Sequence, residues 1–236
     1  MAGVIAVAHR GDPYVARENT LASFVSAIAS GADAVELDVR ATADGVPVVI
    51  HDATLKRLWG SEEAVAEVTA ARVAELTGGG VPTLAEALAV TAPVRTLIDL
   101  PERLPVTARA AVATVHATGA EGRVYYSGDP GALRAVRAAD ADAEIALTWK
   151  RASRPRASLL AEVRPRWLNY RFGLVTRATV VSAEAEGYRV AAWTADSRRS
   201  MRRLIGLGVT AVTTNRIAAL RKELDRREAA IPGRPG

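Results

Sequence analysis

Short, nearly unbroken apolar runs recur along this chain, separated by longer stretches whose apolar residues fall at helical spacing. The runs predict strands at 4–8, 34–40, 46–50, 94–100, 123–127, 144–149, 167–171, 189–194 and 209–214. The stretches between them predict helices near 19–30, 83–91, 105–118, 130–139, 156–164, 176–187, 198–207 and 215–229. Such alternation indicates a parallel sheet with crossover helices. One pair of strands breaks the rule. Only Ala41-Thr42-Ala43-Asp44-Gly45 lie between Arg40 and Val46. A parallel crossover needs about a dozen residues, and Asp-Gly is a strong hairpin turn, so 34–50 reads as a hairpin whose second arm runs back down. Eight parallel strands remain, the number that closes a (β/α)8 TIM barrel. Residues 52–82 are the least regular segment and predict a small insertion after strand 2. It ends at Thr83, with Glu86 placed to complete a capping box. The barrel is expected to span 1–229 as one domain, followed by a disordered tail at 230–236.

Composition supports a large single core. Of 236 residues 49% are apolar but only 5% aromatic, so Ala, Val and Leu must fill it. Cysteine is absent, which excludes disulfides, thiolate metal sites and cysteine nucleophiles. No apolar run approaches the ~20 residues of a membrane span, and residues 2–8 lack the basic flank of a signal peptide; the expected location is cytoplasmic. Net charge is +5, with basic clusters at Lys150–Arg156 and Arg198–Arg203. They read as a solvated face. No aromatic residues interleave with them as a single-strand nucleic-acid platform requires, so nucleic acid is not an expected partner.

The candidate chemistry sits in the first 52 residues. His9-Arg10-Gly11 ends the first apolar run, and His51-Asp52 ends the third. Between them Glu36 and Asp38 alternate with Val35, Leu37 and Val39. Barrel enzymes carry their reactive groups at the carboxyl ends of the strands. Side chains two apart on a strand share a face, about 6.6 Å apart along the backbone. Glu36 and Asp38 can therefore converge on one ion at the barrel mouth, while the valines and leucine face the helices. The descending hairpin arm brings His51 back to their level. An imidazole titrates near pH 6.5 and serves as acid or base, so two imidazoles beside two carboxylates point to acid–base chemistry next to a divalent metal. Asp52 either orients His51 or caps the next turn. Asn19 and Thr20 are expected to cap the first helix, and Gly11 to relieve crowding beside the bound group. His116 lies in a helix pattern with no evident partner.

His9-Arg10-Gly11, Glu18-Asn19-Thr20, Glu36-Leu37-Asp38-Val39, Asp44-Gly45 and Val48-Val49-Ile50-His51-Asp52 together resemble the glycerophosphodiester phosphodiesterase family in order and spacing. Val190–Thr194, ending in Trp-Thr, and Gly208–Asn215 are similar to its late strands. The resemblance implies a (β/α)8 barrel that hydrolyses a small-molecule glycerophosphodiester, with a divalent Mg2+ or Ca2+, to an alcohol and glycerol 3-phosphate, a step of lipid metabolism. It makes His9 and His51 the acid–base pair and Glu36 and Asp38 metal ligands; an acid and a base for one displacement are expected on opposite sides of the phosphorus. It places Arg10 on the phosphate. Trp193 lines the substrate pocket or packs in the core. The family's Glu-x-Lys is replaced by Asp99-Leu100-Pro101, so Asp99 is the expected third ligand, one methylene shorter, and Pro101 supplies no charge. Arg17, Lys150 or Arg171 can stand in for that charge. Asn215 occupies the place of a common Asp.

Two further functions compete. A phospholipase-D-like or lysophospholipid-cleaving enzyme on the same barrel needs an apolar groove, which 52–82 could provide. A non-catalytic phosphodiester-binding protein would explain the lost lysine, but not the retention of both histidines and both early carboxylates.

Overall fold

The structure is a computed structural model that describes residues 3–229; the tail expected at 230–236 lies outside the described residues. Among the described residues nine strands form: β1 (Ile5–His9), β2 (Ala34–Ala41), β3 (Pro47–Val49), β4 (Arg95–Leu100), β5 (Val124–Gly128), β6 (Ala146–Trp149), β7 (Trp167–Arg171), β8 (Arg189–Trp193) and β9 (Ala211–Thr214). The helices are α1 (Leu21–Ala29), α2 (Lys56–Trp59), α3 (Ala70–Thr77), α4 (Leu84–Val90), α5 (Pro105–Ala117), α6 (Pro130–Ala139), α7 (Ala157–Val163), α8 (Arg177–Ala185), α9 (Arg198–Leu207) and α10 (Ile217–Ala229).

All strand pairs along the order β5-β4-β2-β1-β9-β8-β7-β6 are parallel. A single parallel bridge, Tyr126 to Ile145, brings the two end strands together, and the Tyr126 N–H donates to the Glu144 carbonyl at 2.9 Å. The result is a nearly closed eight-stranded barrel ringed by helices. β3 stands apart as the descending arm of the hairpin, antiparallel to β2 with Val39 opposite Val49. Its turn closes with the Gly45 N–H donating to Thr42 O at 2.9 Å, and Gly45 takes φ +79°, a left-handed conformation glycine adopts without strain.

Side-chain alternation divides the core in two. Val35, Leu37 and Val39 point outward and pack with Phe24, Leu84 and Leu88 of the surrounding helices. Inside the barrel, Val7, Ala34, Leu97, Tyr125, Ala146, Trp167, Ala191 and Ala211 form a separate apolar cluster, one residue from each barrel strand. Hydroxyl and carboxylate caps fix where the helices begin. Thr20, Thr83, Thr176 and Ser197 each accept the N–H three residues on, and Thr83 with Glu86 forms the expected capping box.

The insertion is α2, a one-turn 3-10 helix at Val65–Glu67, and α3. Its Leu55, Val65, Val73 and Val81 pack under Val48 and Ile50 of the hairpin's second arm. The segment thus buries several of its own apolar side chains. His116, expected to be without partners, is exposed and hydrogen-bonds Asp140 through Nε2 at 3.0 Å.

Candidate active site

The inward face of the barrel changes character over one pleat repeat. Two residues beyond each member of the apolar cluster stand His9, Glu36, Asp99, Ser127, Thr148, Asn169, Trp193 and Thr213. All eight line one open cavity of about 720 Å³ at the carboxyl end of the strands. Arg10, Asp38, His51 and Lys150 line it too. His9, Arg10, Glu36, Asp38, His51, Asp99 and Trp193 therefore meet in one place.

The carboxylates form its floor. Glu36, Asp38 and Asp99 each offer an oxygen within 4.8 Å of the other two. Asp38 and Asp99 are directly opposed in the β2–β4 register. Glu36 is 5% and Asp38 2% exposed, so they are poorly hydrated charges held together. Burial first, then Asp38 and Asp99, push the Glu36 carboxyl well above the usual range. Burial and Asp38 raise Asp99 to about 6, although Ser127 donates to its Oδ1 at 2.6 Å. Arg10 is the one guanidinium or ammonium within 4 Å of the three among the described residues, its Nε 3.1 Å from Asp38 Oδ2. A single cation against three crowded carboxylates leaves an all-oxygen donor set that fits a hard divalent ion such as Mg2+ or Ca2+.

The His-Arg-Gly and Glu-Asn-Thr segments hold this floor in shape. The Arg10 N–H donates to Glu36 Oε2 at 2.9 Å, and Arg10 takes φ +57° to do so. Its guanidinium donates to Glu18 Oε1 at 2.9 Å. Glu18 also accepts from Arg57; burial opposes its charged form, but the two arginines still draw its pKa below the ordinary value. Asn19, expected as a helix cap, instead donates through Nδ2 to Asp38 Oδ2 at 2.8 Å; Thr20 alone caps α1. Gly11 serves the loop's approach to α1. A Cβ there would stand 2.1 Å from Ser23 Oγ, and its φ is +85°.

The two histidines are held differently. His9 Nδ1 lies 2.7 Å from Asn215 Oδ1. The Asn215 amide is itself oriented by Asp196, which accepts from Nδ2 at 2.8 Å. A carboxylate only accepts, so the amide nitrogen must face Asp196 and the oxygen must face His9. His9 therefore carries its proton on Nδ1 and presents the Nε2 lone pair, 3.9 Å from Glu36 Oε2. Burial, and next the Arg10 charge, lower its pKa from the ordinary imidazole value. His51 follows the hairpin arm, where Arg40 Nε donates to its carbonyl at 2.8 Å. Its Nδ1 is 2.8 Å from Asp52 Oδ1, so Asp52 orients the ring. Asp52 also accepts from Arg57, and that hydrogen bond, helped by His51, draws it down to about 2.

Of the arginine and lysine candidates for the lost positive charge, Lys150 lines the cavity and Arg17 and Arg171 do not; Arg17 lies 4.2 Å over the Trp59 ring. Trp193 lines the cavity, with its Nε1 donating to Asn169 O at 3.3 Å and Lys150 Nζ 5.6 Å over its ring. Sequence reasoning missed Ser127, Thr148, Asn169, Thr213 and Asp196. The first four are ordinary polar residues, and their signal is positional: each lies two beyond an inward apolar residue near a strand's end.

Fold and site together define a (β/α)8 hydrolase with a carboxylate floor and a histidine pair. Residues 9–219 match the profile of the Glycerophosphoryl diester phosphodiesterase family, to which the chain belongs. It is 30% identical over 243 residues to the Mycobacterium tuberculosis protein named "Probable glycerophosphodiester phosphodiesterase 2", covering 94% of this chain and 91% of that one. It is 28% identical to the glycerophosphodiester phosphodiesterase of Caldanaerobacter subterraneus subsp. tengcongensis, covering 89% of this chain and 93% of that one. Among solved structures, the Thermotoga maritima glycerophosphodiester phosphodiesterase superposes with a TM-score of 0.79 at 25% identity, over 94% of this chain and 99% of that one. An Oleispira antarctica phosphodiesterase in complex with the product sn-glycerol-3-phosphate gives 0.84 at 24%, over 94% and 97%. The activity is the hydrolysis of glycerophosphodiesters. None of the helices among the described residues is long and apolar enough to cross a membrane.

Proposed function

We propose that the chain hydrolyses glycerophosphodiesters to an alcohol and sn-glycerol 3-phosphate by histidine acid–base catalysis that depends on a divalent cation. The observation that carries this reading is the convergence of His9, His51, Arg10 and the three carboxylates on a single cavity. The glycerol phosphate product named for the Oleispira antarctica neighbour agrees with it.

Glu36, Asp38 and Asp99 would hold the cation, which when bound neutralises charge on the phosphoryl oxygens. His9 acts as base. Asn215 keeps its proton on Nδ1, so Nε2 takes the proton of the attacking O–H. His51 acts as acid and gives its Nε2 proton to the oxygen of the departing alcohol, the ring being steered through Nδ1 by Asp52. Arg10 supplies a planar fork of donors for the phosphate, and Trp193 forms a wall of the substrate pocket.

Glycerol 3-phosphate release, measured with EDTA and then with Mg2+, Ca2+ or Mn2+ restored, tests the reading. Activity should vanish with chelator and return with one of the ions. His9→Ala and His51→Ala should each lower turnover ~100-fold or more. Full activity in EDTA, or in both variants, would refute it.

A further inference from the structure

The carboxylate floor occupies one part of the cavity; the adjoining side, beyond Asp99 toward β5 and β6, has the reverse charge. The loops that follow β4, β5 and β6, with the first turns of α6 and α7, bring Arg103, Arg134, Lys150, Arg151, Arg154 and Arg156 to the lining. Away from the floor, Asp129 is the one acid among the lining residues, and it pairs with Arg103 at 3.1 Å. Arg134 and Arg154 pair outside the cavity, with Glu162 and Glu186. Lys150, Arg151 and Arg156 have no carboxylate within ion-pair distance among the described residues, so the arc carries uncompensated positive charge.

Three observations bear on what this arc meets. A cavity of about 720 Å³ lies in the range, roughly 300–1,000 Å³, that holds whole drug-sized ligands, so it has room beyond a glycerol phosphate group. The scissile phosphate already has Arg10 and the floor. Finally, the aromatic faces that would otherwise receive a quaternary ammonium are in use: Lys150 Nζ lies 5.6 Å over Trp193, and the Arg151 guanidinium 6.0 Å over Trp149. These contacts hold both cations against the cavity wall and repel a cationic head group.

We infer that the arc is a specificity site for the leaving alcohol, and that the preferred substrates are glycerophosphodiesters whose alcohol bears a second phosphate. This rests on the proposed phosphodiester chemistry and names its substrate class. Exposed cations facing a cleft raise the local concentration of an anion, and salt weakens the effect.

The test compares kcat/KM for three soluble diesters: glycerophosphocholine, glycerophosphoglycerol, and a glycerophosphoglycerol phosphorylated on its terminal hydroxyl. The phosphorylated diester should exceed glycerophosphocholine by roughly tenfold or more at low ionic strength. That ratio should shrink as the Debye length falls from about 30 Å near 0.01 M salt to about 3 Å near 1 M. In Arg151→Ala/Arg156→Ala it should fall severalfold at low salt, with the melting temperature read alongside to establish that the variant is folded; an unfolded double variant is replaced by the two single ones. Equal rates on all three diesters, or a preference for the choline diester, would overturn the inference while leaving the hydrolytic reading intact. Absence of product from every diester would overturn both. A ratio insensitive to salt, together with sedimentation on phosphatidylglycerol vesicles that the double variant loses, would assign the arc to a membrane surface and overturn it as well.

Discussion

Two successive layers of the barrel interior are built from the same eight strands, yet the lower one holds eight apolar side chains and the upper one is reactive. Val7, Leu97, Tyr125 and Trp167 belong to the lower layer, and His9, Asp99, Ser127 and Asn169 stand two residues above them. A shift of about 6.6 Å along the pleat separates the two. The lower layer gains by excluding water. The upper layer gathers charges that repel one another and resist desolvation, an arrangement that opposes stability in the absence of a cation. A barrel tolerates this because the packed lower layer and the outer helices hold the strand ends in place.

The sharpest break of that comparison comes from altering each layer. Trp167, 1% exposed and stacked on Tyr125 at 6.0 Å, anchors the lower cluster. Trp167→Ala should cost about 3–5 kcal/mol in denaturant unfolding. Asp99→Asn should leave the metal-free protein as stable as wild type or more so at pH 7.5, since it removes a buried like charge. Equal losses in both variants would erase the distinction between the layers.

Next in size is the support behind His9. Asn215→Ala removes the acceptor that fixes the ring's tautomer. Turnover should fall roughly 10- to 100-fold, as when outer partners of site residues are lost, with KM nearly unchanged. Nitrogen NMR should then show mixed imidazole tautomers at His9; a wild-type tautomer population would contradict the role given to Asn215.

The smallest effect is a pH dependence. Glu36 is raised, and Asp99 lies at about 6. Unfolded carboxylates titrate near pH 4, so between about pH 4 and 6 the folded, metal-free protein binds more protons than the unfolded chain, and its stability rises as pH falls through that window. In EDTA, the melting temperature of wild type should therefore gain on that of Asp99→Asn between pH 7.5 and 5.5. A constant gap would show that Asp99 is ionised normally.

The fold was legible because the eight barrel strands are nearly unbroken apolar runs, and the five residues from Ala41 to Gly45 could only make a hairpin. The site was legible where residue types are rare. Two of three histidines and a Glu-x-Asp on a buried strand have few other uses. Residues whose roles depend on partners distant in the chain were not legible. Asn19 reads as a cap from its neighbours, and only the pairing of β1 with β2 shows it reaching Asp38. Asp196 has no local signature at all; its task is to turn the Asn215 amide. The basic cluster at Lys150–Arg156, read as a solvated face, is exposed and also lines the open cavity.

Calorimetric titration of the metal-free protein with Ca2+ or Mg2+ at pH 6.5, in two buffers of different ionisation enthalpy, tests the carboxylate floor most directly. One ion should bind per chain and release protons, because Asp99, at about 6, begins partly protonated and must lose its proton to ligate; Asp38→Asn should weaken binding sharply. Absence of binding, or binding without proton release that is indifferent to Asp38→Asn, would contradict the account.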